Sequence, residues 1–519
     1  MPSPIVFRLL SSLRHSSVQA FLFLALITSC STPAPTLTQT LPTETAFPTS
    51  TTIPPTTATL STETPTPVPT PGINLERPQY VLDLQLNYSG KAAEVNEIIN
   101  YPNTTGEPLT NLVLAVEPNL WSGGFSLKSL AINDQPVSNY TLETLSQRLE
   151  VQLPQPLPPG ERITIILNYG LILPQMQAYS NPNEVRPQIY GYSERQTNFV
   201  DWYPFVVPYL PGQGWVLHNP WYYGEHLVYD LADFEVTVTF TDGANPKIAA
   251  SGAEVTSTTE ATPSGAVSRR FVLEAGRTFA LSMSDHFRVA QQTVGDVTVY
   301  SYYFAFFMDA GEALLQTTVE AMQVYNERFG PYRHKTLTAV QGDFNDGMEF
   351  SAFYFISRDY FNLYDGTPKN YLVTIAAHET AHQWWFDSVM NDQGLEPWLD
   401  EALSTYSEAL YYESVYPDMA EWWWGFRYFE FQQPGYVDTP IYDGGGQRPY
   451  WDKVYLTGAR FFDELRQRLG DEIFFAFLRD YYAQQLGRYT TSTDFFRILR
   501  EHTAADITDL MIKYFKNTY

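Results

Sequence analysis

The segment His378-Glu379-Thr380-Ala381-His382, followed after eighteen residues by Glu401, restricts this chain's fold more than any other feature. Residues four positions apart on a helix lie about 5–6 Å from each other on one face, so His378 and His382 can bind one metal ion together. Glu379 lies on the same turn, where its carboxylate can reach a water molecule on that metal. The segment is therefore predicted to be helical, with Glu401 brought to it by a second helix.

The types of residue in this pattern indicate which metal is bound. Two histidines and one glutamate leave one position of a tetrahedral site open, as in catalytic zinc sites, whereas structural zinc sites are closed by four ligands that commonly include cysteine. The only cysteine of the chain is Cys30. The pattern predicts one catalytic Zn²⁺ per chain, held by His378, His382 and Glu401. The structural alternative is a solvated acidic helix.

The neighbouring sequence supports this prediction. Residues 371–389 contain no proline or glycine and carry apolar residues at helical spacing, which predicts a helix before the turn at 391–394. Residues 398–411 predict a second helix that carries Glu401 and ends before Pro417. Residues 309–329 predict a further helix, residues 336–341 a short strand, and helices are expected from about 457 to the C-terminus.

The N-terminal part of the chain has the features of an export segment. Residues 1–29 contain two arginines, no acid and an apolar run of signal-peptide length, and they lead into Leu26-Ile27-Thr28-Ser29-Cys30. This sequence resembles the lipobox of bacterial lipoproteins, in which the cysteine is lipidated after cleavage. The resemblance implies a signal peptide at 1–29, lipidation of Cys30 and a lipid-anchored, extracytoplasmic protein at a bacterial membrane or cell surface. An ordinary signal peptide with a lone cysteine is the alternative.

Composition divides the rest of the chain into three parts. Residues 30–74 form a Thr/Pro/Ser-rich tract that is predicted to be an extended stalk. Short alternating runs separated by turns predict a β-rich domain at 75–295, and the change to helical periodicity near 308 predicts a catalytic domain at 296–519. The net charge of −26 argues against nucleic acid as a partner. We expect a monomer.

Three motifs resemble the aminopeptidase N family of gluzincin metallopeptidases. His378-Glu379-Thr380-Ala381-His382-Gln383-Trp384 with Trp398-Leu399-Asp400-Glu401-Ala402 matches the family beyond the metal ligands themselves. Gly347-Met348-Glu349 resembles its G-A-M-E-N motif, and Tyr455-Leu456-Thr457-Gly458-Ala459 resembles its Tyr-x-Lys-Gly-Ala segment. The resemblance implies a multidomain α+β fold, in which an antiparallel β domain precedes a thermolysin-like zinc peptidase domain with C-terminal helices.

The resemblance also implies a role for each matching residue. Glu379 takes a proton from the attacking water and passes it to the leaving amine. Tyr455 donates a hydrogen bond to the oxyanion, and Glu349 binds the free α-ammonium of a peptide substrate. Glu408 lies seven residues after Glu401 on the same helical face, so we expect it to orient a zinc-binding histidine as an outer hydrogen-bond acceptor. For Tyr455, Glu349 and Glu408 the alternatives are a packing tyrosine, a strand-edge acid and a solvated acid.

Three functional hypotheses remain open at this stage. The first is a zinc-dependent aminopeptidase that removes N-terminal residues from peptides outside the cytoplasm. The second is a zinc endopeptidase or other zinc hydrolase, because Phe350 replaces the family asparagine and only 64 residues follow Tyr455. The third is a non-catalytic peptide-binding lipoprotein.

Overall fold

A computed structural model describes residues 75–176, 188–255, 267–429 and 435–519 of the protein. The predicted signal peptide, Cys30 and the stalk therefore lie outside the described residues. In the part of the chain that is described, no helix combines the length and the apolar character needed to span a lipid bilayer.

The N-terminal region is built on an eight-stranded sheet. Its strands alternate between buried and partly exposed residues, so that one face of each strand packs into a core. In spatial order they are Ala253–Val255, Val267–Gly276, Ala232–Phe240, Gln79–Asn87, Ala92–Pro102, Arg162–Ile172, Phe125–Ile132 and Gln135–Pro136. The predicted antiparallel arrangement holds except for one pair, because Gln79–Asn87 and Ala232–Phe240 run parallel. The long chain segment between these two strands makes that crossover possible.

Three smaller sheets are formed by the described residues of the β-rich region. One has the order Phe205–Val206, Leu109–Ala115, Arg148–Leu157 and Tyr140–Leu142. Another has the order Lys247–Ala250, Leu281–Ser284, Thr197–Phe199 and Gly191–Tyr192. The third is the hairpin of Tyr209–Leu210 and Gly214–Trp215. Aromatic residues of this region, such as the fully buried Trp202, fill the core between the sheets.

A mixed five-stranded sheet begins the second region. Its spatial order is Phe287–Val294, Val297–Phe304, Thr336–Gln341, Phe353–Ile356 and Met348–Phe350, with parallel pairing on both sides of Thr336–Gln341. The strand predicted at 336–341 is therefore present with the predicted bounds. Within the described ranges, the sheet contributes side chains to two hydrophobic cores, so the two regions pack against each other through it. The domain bounds 75–295 and 296–519 stay a prediction.

The α-helices of the described residues all follow the first two strands of that sheet. They are α1 Met308–Arg328, α2 Arg358–Asn362, α3 Tyr371–Ala381, α4 Trp398–Val415, α5 Ala420–Trp423, α6 Gln447–Trp451, α7 Gly458–Leu469, α8 Asp471–Gln485, α9 Ser492–His502 and α10 Thr508–Tyr514. Short 3₁₀ turns lie at Glu117–Leu120, Ala305–Phe307, Pro417–Met419 and Ile441–Asp443, and π-helical turns at Trp424–Phe429 and Asp452–Thr457. Helices α1 and α4 lie close to the predicted positions.

One helix differs from its prediction. The sequence predicts a helix as far as residue 389, but α3 ends at Ala381, so this part of the prediction is wrong. The following residues form turns in which the indoles of Trp384 and Trp385 are fully buried, and Trp384 donates to the carbonyl of Gly330. Packing of these large rings against α1 and its end outweighs the helical spacing of the sequence.

A buried arginine joins the two regions. Arg277 follows the β-strand Val267–Gly276, and its Nε donates to the carbonyls of Phe386 and Asp387 at 3.0 and 2.9 Å. Its backbone N–H donates to the Ser351 hydroxyl at 2.7 Å. These carbonyls are buried and would otherwise lack these hydrogen bonds from Arg277. The β-rich region therefore stabilises the segment that follows α3 in the chain.

Candidate metal centre and active site

The structure brings His378, His382 and Glu401 together at the contact between α3 and α4. Nε2 of His378 lies 3.1 Å from Nε2 of His382 and 3.2 Å from Oε2 of Glu401. The same oxygen lies 3.5 Å from Nε2 of His382. All three side chains are buried. Two helices therefore present three potential metal-ligand atoms as one compact triangle.

The dimensions of this triangle fit a tetrahedral zinc ion. Ligand atoms about 2.0–2.1 Å from a tetrahedral metal are about 3.3 Å from one another, which agrees with the three separations. Buried nitrogen lone pairs that face each other and a carboxylate need a cation between them to be stable. The residues present therefore fit the predicted metal.

Helix α3 carries His378, and His382 is the C-cap residue that follows its last turn. Its first turn is capped by Asn370, whose side chain accepts from the backbone N–H of Val373 at 3.2 Å. After the partly exposed Tyr371, every residue of the helix is buried, which is typical of a helix in the interior of a large domain. The position of the histidines is thus fixed by packing on every face.

Glu379 lies beside the triangle with a carboxylate that is buried. Its Oε2 has no hydrogen-bond partner among the described residues. Burial raises its pKa well above the usual range; His382 opposes this shift, and the nearby carboxylates of Glu349 and Glu401 reinforce it. A Cβ atom on Gly347 would lie 2.4 Å from Oε1 of Glu379, so the glycine gives this carboxylate its space. The arrangement suits a group that exchanges protons.

Glu408 holds the imidazole of His378 from behind. Its Oε1 lies 2.9 Å from Nδ1 of His378, and because a carboxylate only accepts, Nδ1 donates and Nε2 is left for the metal. Trp423 and Arg427 also donate to this carboxylate. Burial acts to raise the pKa of Glu408, but Arg427 and His378 together outweigh burial, so its pKa lies below the usual range. Glu408 is thus kept ionised in the predicted position.

Tyr455 reaches the site from a π-helical turn. The turn Asp452–Thr457 continues helix α6 and precedes α7, and π-helical turns are frequent at functional sites. The Tyr455 hydroxyl donates to Oε1 of Glu401 at 2.6 Å, and its ring is stacked with that of His378 at a centroid distance of 5.9 Å. The predicted tyrosine therefore contacts the metal-ligand triangle directly.

Glu349 lies in the same cavity on the edge strand Met348–Phe350. It is 3% exposed, and Oε1 accepts from the amide of Gln393 at 2.9 Å. One oxygen of Glu349 lies within 4.8 Å of ligand atoms of His382 and Asp400. Gln383, at the end of α3, donates to the carbonyl of Phe350 and fixes the strand against the helix. Glu349 is thereby held at a defined distance from the metal-ligand triangle.

Four residues of the site were not predicted from the sequence. Gln393 bonds Glu349, Asp400 lies beside Glu401, Arg427 bonds Glu408, and Glu225 lines the cavity from the β-rich region. Asp400 adjoins a predicted ligand inside a motif, which is a signal that could have identified it. Gln393 and Glu225 lie in irregular segments and Arg427 lies in a short π-helical turn, so the sequence carries no periodic signal for them.

These side chains surround a cavity of about 190 Å³. Its wall includes the three potential ligands, Glu379, Tyr455 and Glu349. A base, a hydroxyl donor and a separate carboxylate therefore share one space with the metal-binding triangle. This arrangement is suited to hydrolysis of a substrate that carries a positive charge near the bond to be cleaved.

Comparison with protein families identifies a related domain. Residues 313–514 match the model of the Peptidase family M1 domain. This region contains all of the predicted zinc-site residues from Glu349 to Tyr455. The match supports the predicted catalytic zinc as the cofactor of this site.

Two plant proteins are among the similar curated sequences. Aminopeptidase M1-D of Oryza sativa subsp. japonica is 24% identical over 222 residues, which are 40% of this chain and 25% of the rice protein. Aminopeptidase M1 of Arabidopsis thaliana is 22% identical over 223 residues, with the same coverage of 40% and 25%. The chain thus spans about a quarter of the length of the curated relatives that it matches.

Solved structures extend the similarity to the β-rich region. The M1 zinc metallopeptidase of Deinococcus radiodurans, solved as a mutant with a Tyr-Ser-Ala substrate, has a TM-score of 0.59 at 19% identity and covers 85% of this chain and 95% of its own. Aminopeptidase A of Legionella pneumophila, in complex with aspartic acid, has a TM-score of 0.61 at 16% identity and covers 85% and 49%. The predicted fold class, α+β with an N-terminal β-sheet domain followed by a helical C-terminal region, is confirmed.

Proposed function

We propose that this chain, which carries a peptidase family M1 domain at residues 313–514, is a zinc-dependent aminopeptidase that removes N-terminal residues from peptides. The domain match confirms the resemblance to the aminopeptidase N family. One observation carries the proposal. A single cavity contains Glu349, the metal-binding triangle, the base Glu379 and the hydroxyl donor Tyr455.

The chemistry at the triangle is hydrolysis of an amide bond. Zinc bound by His378, His382 and Glu401 would lower the pKa of a water molecule to about 7 and polarise a carbonyl group. Glu379 accepts a proton from the attacking water and passes it to the leaving amine, a role that its position in the wall of the same cavity allows. Tyr455 donates a hydrogen bond to the oxygen that becomes negatively charged.

Glu349 supports removal of residues from the N-terminus. Its buried carboxylate can bind the free α-ammonium group of a peptide, with Gln393 holding the carboxylate in place. A substrate without that ammonium would leave the carboxylate desolvated and unpaired, which costs about 1–3 kcal/mol or more. An internal peptide bond is therefore bound less well than an N-terminal one.

The test compares free and N-acetylated forms of the same peptides with the zinc-loaded protein. We expect hydrolysis of the free peptides, a product that is one residue shorter, and loss of activity with a chelator. The variant Glu349→Gln is expected to lower kcat/KM for free peptides about tenfold or more. Cleavage of the acetylated peptides at internal bonds with similar efficiency would instead favour an endopeptidase.

We further propose that the enzyme acts outside the bacterial cytoplasm, on a lipid anchor. The support is the sequence alone: the export segment at 1–29, the lipobox-like residues that end at Cys30, and the Thr/Pro-rich tract at 30–74. The stalk would hold the catalytic region away from the membrane. In a bacterial host, wild-type protein should fractionate with membranes and incorporate labelled fatty acid, whereas Cys30→Ser should lose the label. A soluble, unlabelled wild-type protein would contradict this proposal.

A further inference from the structure

A second cavity, of about 300 Å³, opens beside Glu349 on the side of the β-rich region. It shares Gly224, Glu225 and Glu349 with the cavity at the metal-binding triangle. A peptide whose ammonium is bound at Glu349 and whose first carbonyl faces the triangle has its first side chain next to Glu349. The second cavity is the adjoining space that can receive this side chain.

The walls of this cavity are aromatic. Trp121 and Tyr190 are in contact, with ring centroids 5.1 Å apart, and Trp221 and Tyr229 line other parts of the wall. Flat aromatic faces bind long aliphatic stems and stack with guanidinium groups. The cavity therefore has the size and the surface for a long side chain.

The charged residues of the wall are predominantly acidic. Glu117, Asp201, Glu225 and Glu349 line the cavity, whereas no lysine or arginine of the described ranges does. His226 is the histidine of this wall, and its Nε2 lies 3.7 Å from Oε2 of Glu117, which is too long for a hydrogen bond but within ion-pair distance when the imidazole is protonated. The potential inside the cavity is therefore negative, which favours a cationic ligand.

Glu117 carries a carboxylate oxygen that lacks a hydrogen-bond donor among the described residues. Its Oε2 is enclosed by protein and has no hydrogen-bond partner in the described part of the chain. An apolar or aromatic ligand would leave this carboxylate desolvated and its Oε2 without a hydrogen-bond donor, whereas a guanidinium or ammonium group would supply a charged hydrogen bond. This difference in hydrogen bonding favours a cationic side chain over an apolar or aromatic one.

We infer that this cavity binds the side chain of the N-terminal substrate residue and selects a cationic one, arginine or lysine, which pairs with Glu117. The inference rests on the proposed aminopeptidase function and adds the class of substrate. Binding and turnover test it separately.

The binding experiment compares L-arginine with L-citrulline, its uncharged analogue of nearly the same shape, by calorimetry on the zinc-loaded protein. We expect arginine to bind about tenfold more tightly or better, which corresponds to the loss of one charged hydrogen bond. Glu117→Gln should reduce this ratio to about two or less. The control Glu161→Gln, an exposed acid elsewhere in the β-rich region, should leave the ratio unchanged. Equal binding of the two ligands to the wild-type protein would overturn the inference, without need of any variant.

The turnover experiment compares arginyl, lysyl, leucyl and phenylalanyl fluorogenic amides. We expect kcat/KM for the arginyl and lysyl compounds to exceed the others at least about tenfold, and Glu117→Gln to lower only those two. Preference for leucyl or phenylalanyl compounds would overturn the cationic specificity but leave the aminopeptidase function standing. Cleavage of N-acetylated peptides alone would remove the aminopeptidase function, while the arginine and citrulline comparison would still decide the cavity.

Discussion

The Tyr455 hydroxyl donates its only proton to Oε1 of Glu401 at 2.6 Å, so the proposed oxyanion donor is bonded to a proposed metal ligand. To stabilise a substrate oxyanion, this hydroxyl has to leave Glu401 and turn to the substrate. Tyr455→Phe should therefore lower kcat about 100- to 1000-fold, the effect typical of removing one such donor. Zinc content should stay near one per chain. Tyr436→Phe, at an exposed position, is the control and should keep full activity.

Glu379→Gln should abolish turnover and leave zinc binding intact. The amide keeps the size of the side chain, so the packing against Gly347 is preserved, but it cannot accept a proton at neutral pH. Steady-state kinetics and metal analysis of the same purified sample check both parts. Measurable turnover in this variant, above a mock preparation, would remove Glu379 from its proposed role.

Glu408→Gln should weaken zinc binding without removing a ligand. The variant leaves Nδ1 of His378 without a charged acceptor and Arg427 without its ion-pair partner. Loss of such an outer hydrogen bond typically costs 10–100-fold in metal affinity, about 1.4–2.7 kcal/mol. Competition with a chromophoric chelator measures the change. Glu413→Gln, on the exposed face of the same helix, is the control and should keep the zinc affinity of the wild type. An unchanged zinc affinity in Glu408→Gln would show that Glu408 does not position His378.

Glu97→Gln should change the pH dependence of stability. Glu97 is fully buried in the eight-stranded sheet, and burial raises its pKa well above the usual range. The folded state thus holds a proton that the unfolded state releases above about pH 4.5, so wild-type stability falls as the pH rises from there towards the raised pKa. The glutamine variant lacks this dependence.

The free energy of unfolding of Glu97→Gln relative to wild type should therefore increase between pH 4.5 and 7, by about 1 kcal/mol or more. Urea unfolding at several pH values measures it. Glu94→Gln, at an exposed position on the same strand, should show no such increase. A difference that is independent of pH would mean that Glu97 is ionised in the folded protein.

Local periodicity was sufficient to predict part of the site. Helix geometry fixes the spacing of His378 and His382. The turn at 391–394, which is rich in helix-breaking residues, indicates that a new helix begins before Glu401. The structure brings these three residues together. Glu408 could be predicted for the same reason, since seven residues are two turns of α4.

Other parts depend on packing that no local pattern encodes. Tyr455 and Glu349 came only from resemblance to a family, because a π-helical turn and an edge strand position them. Gln393 and Arg427 were missed, since they lie in a turn and in a short π-helical segment and each acts through a contact with a distant residue. The end of α3 was predicted wrongly because burial of Trp384 and Trp385 overrides helical periodicity.

The position of Arg277 has a practical consequence for protein engineering. A shortened protein that starts at residue 296 would lose this guanidinium, and the carbonyls of Phe386 and Asp387 would be buried without their donor. The strands that cover the same core would be lost as well. The catalytic residues are therefore not expected to fold correctly without the β-rich region. A shortened protein for expression should start near residue 75.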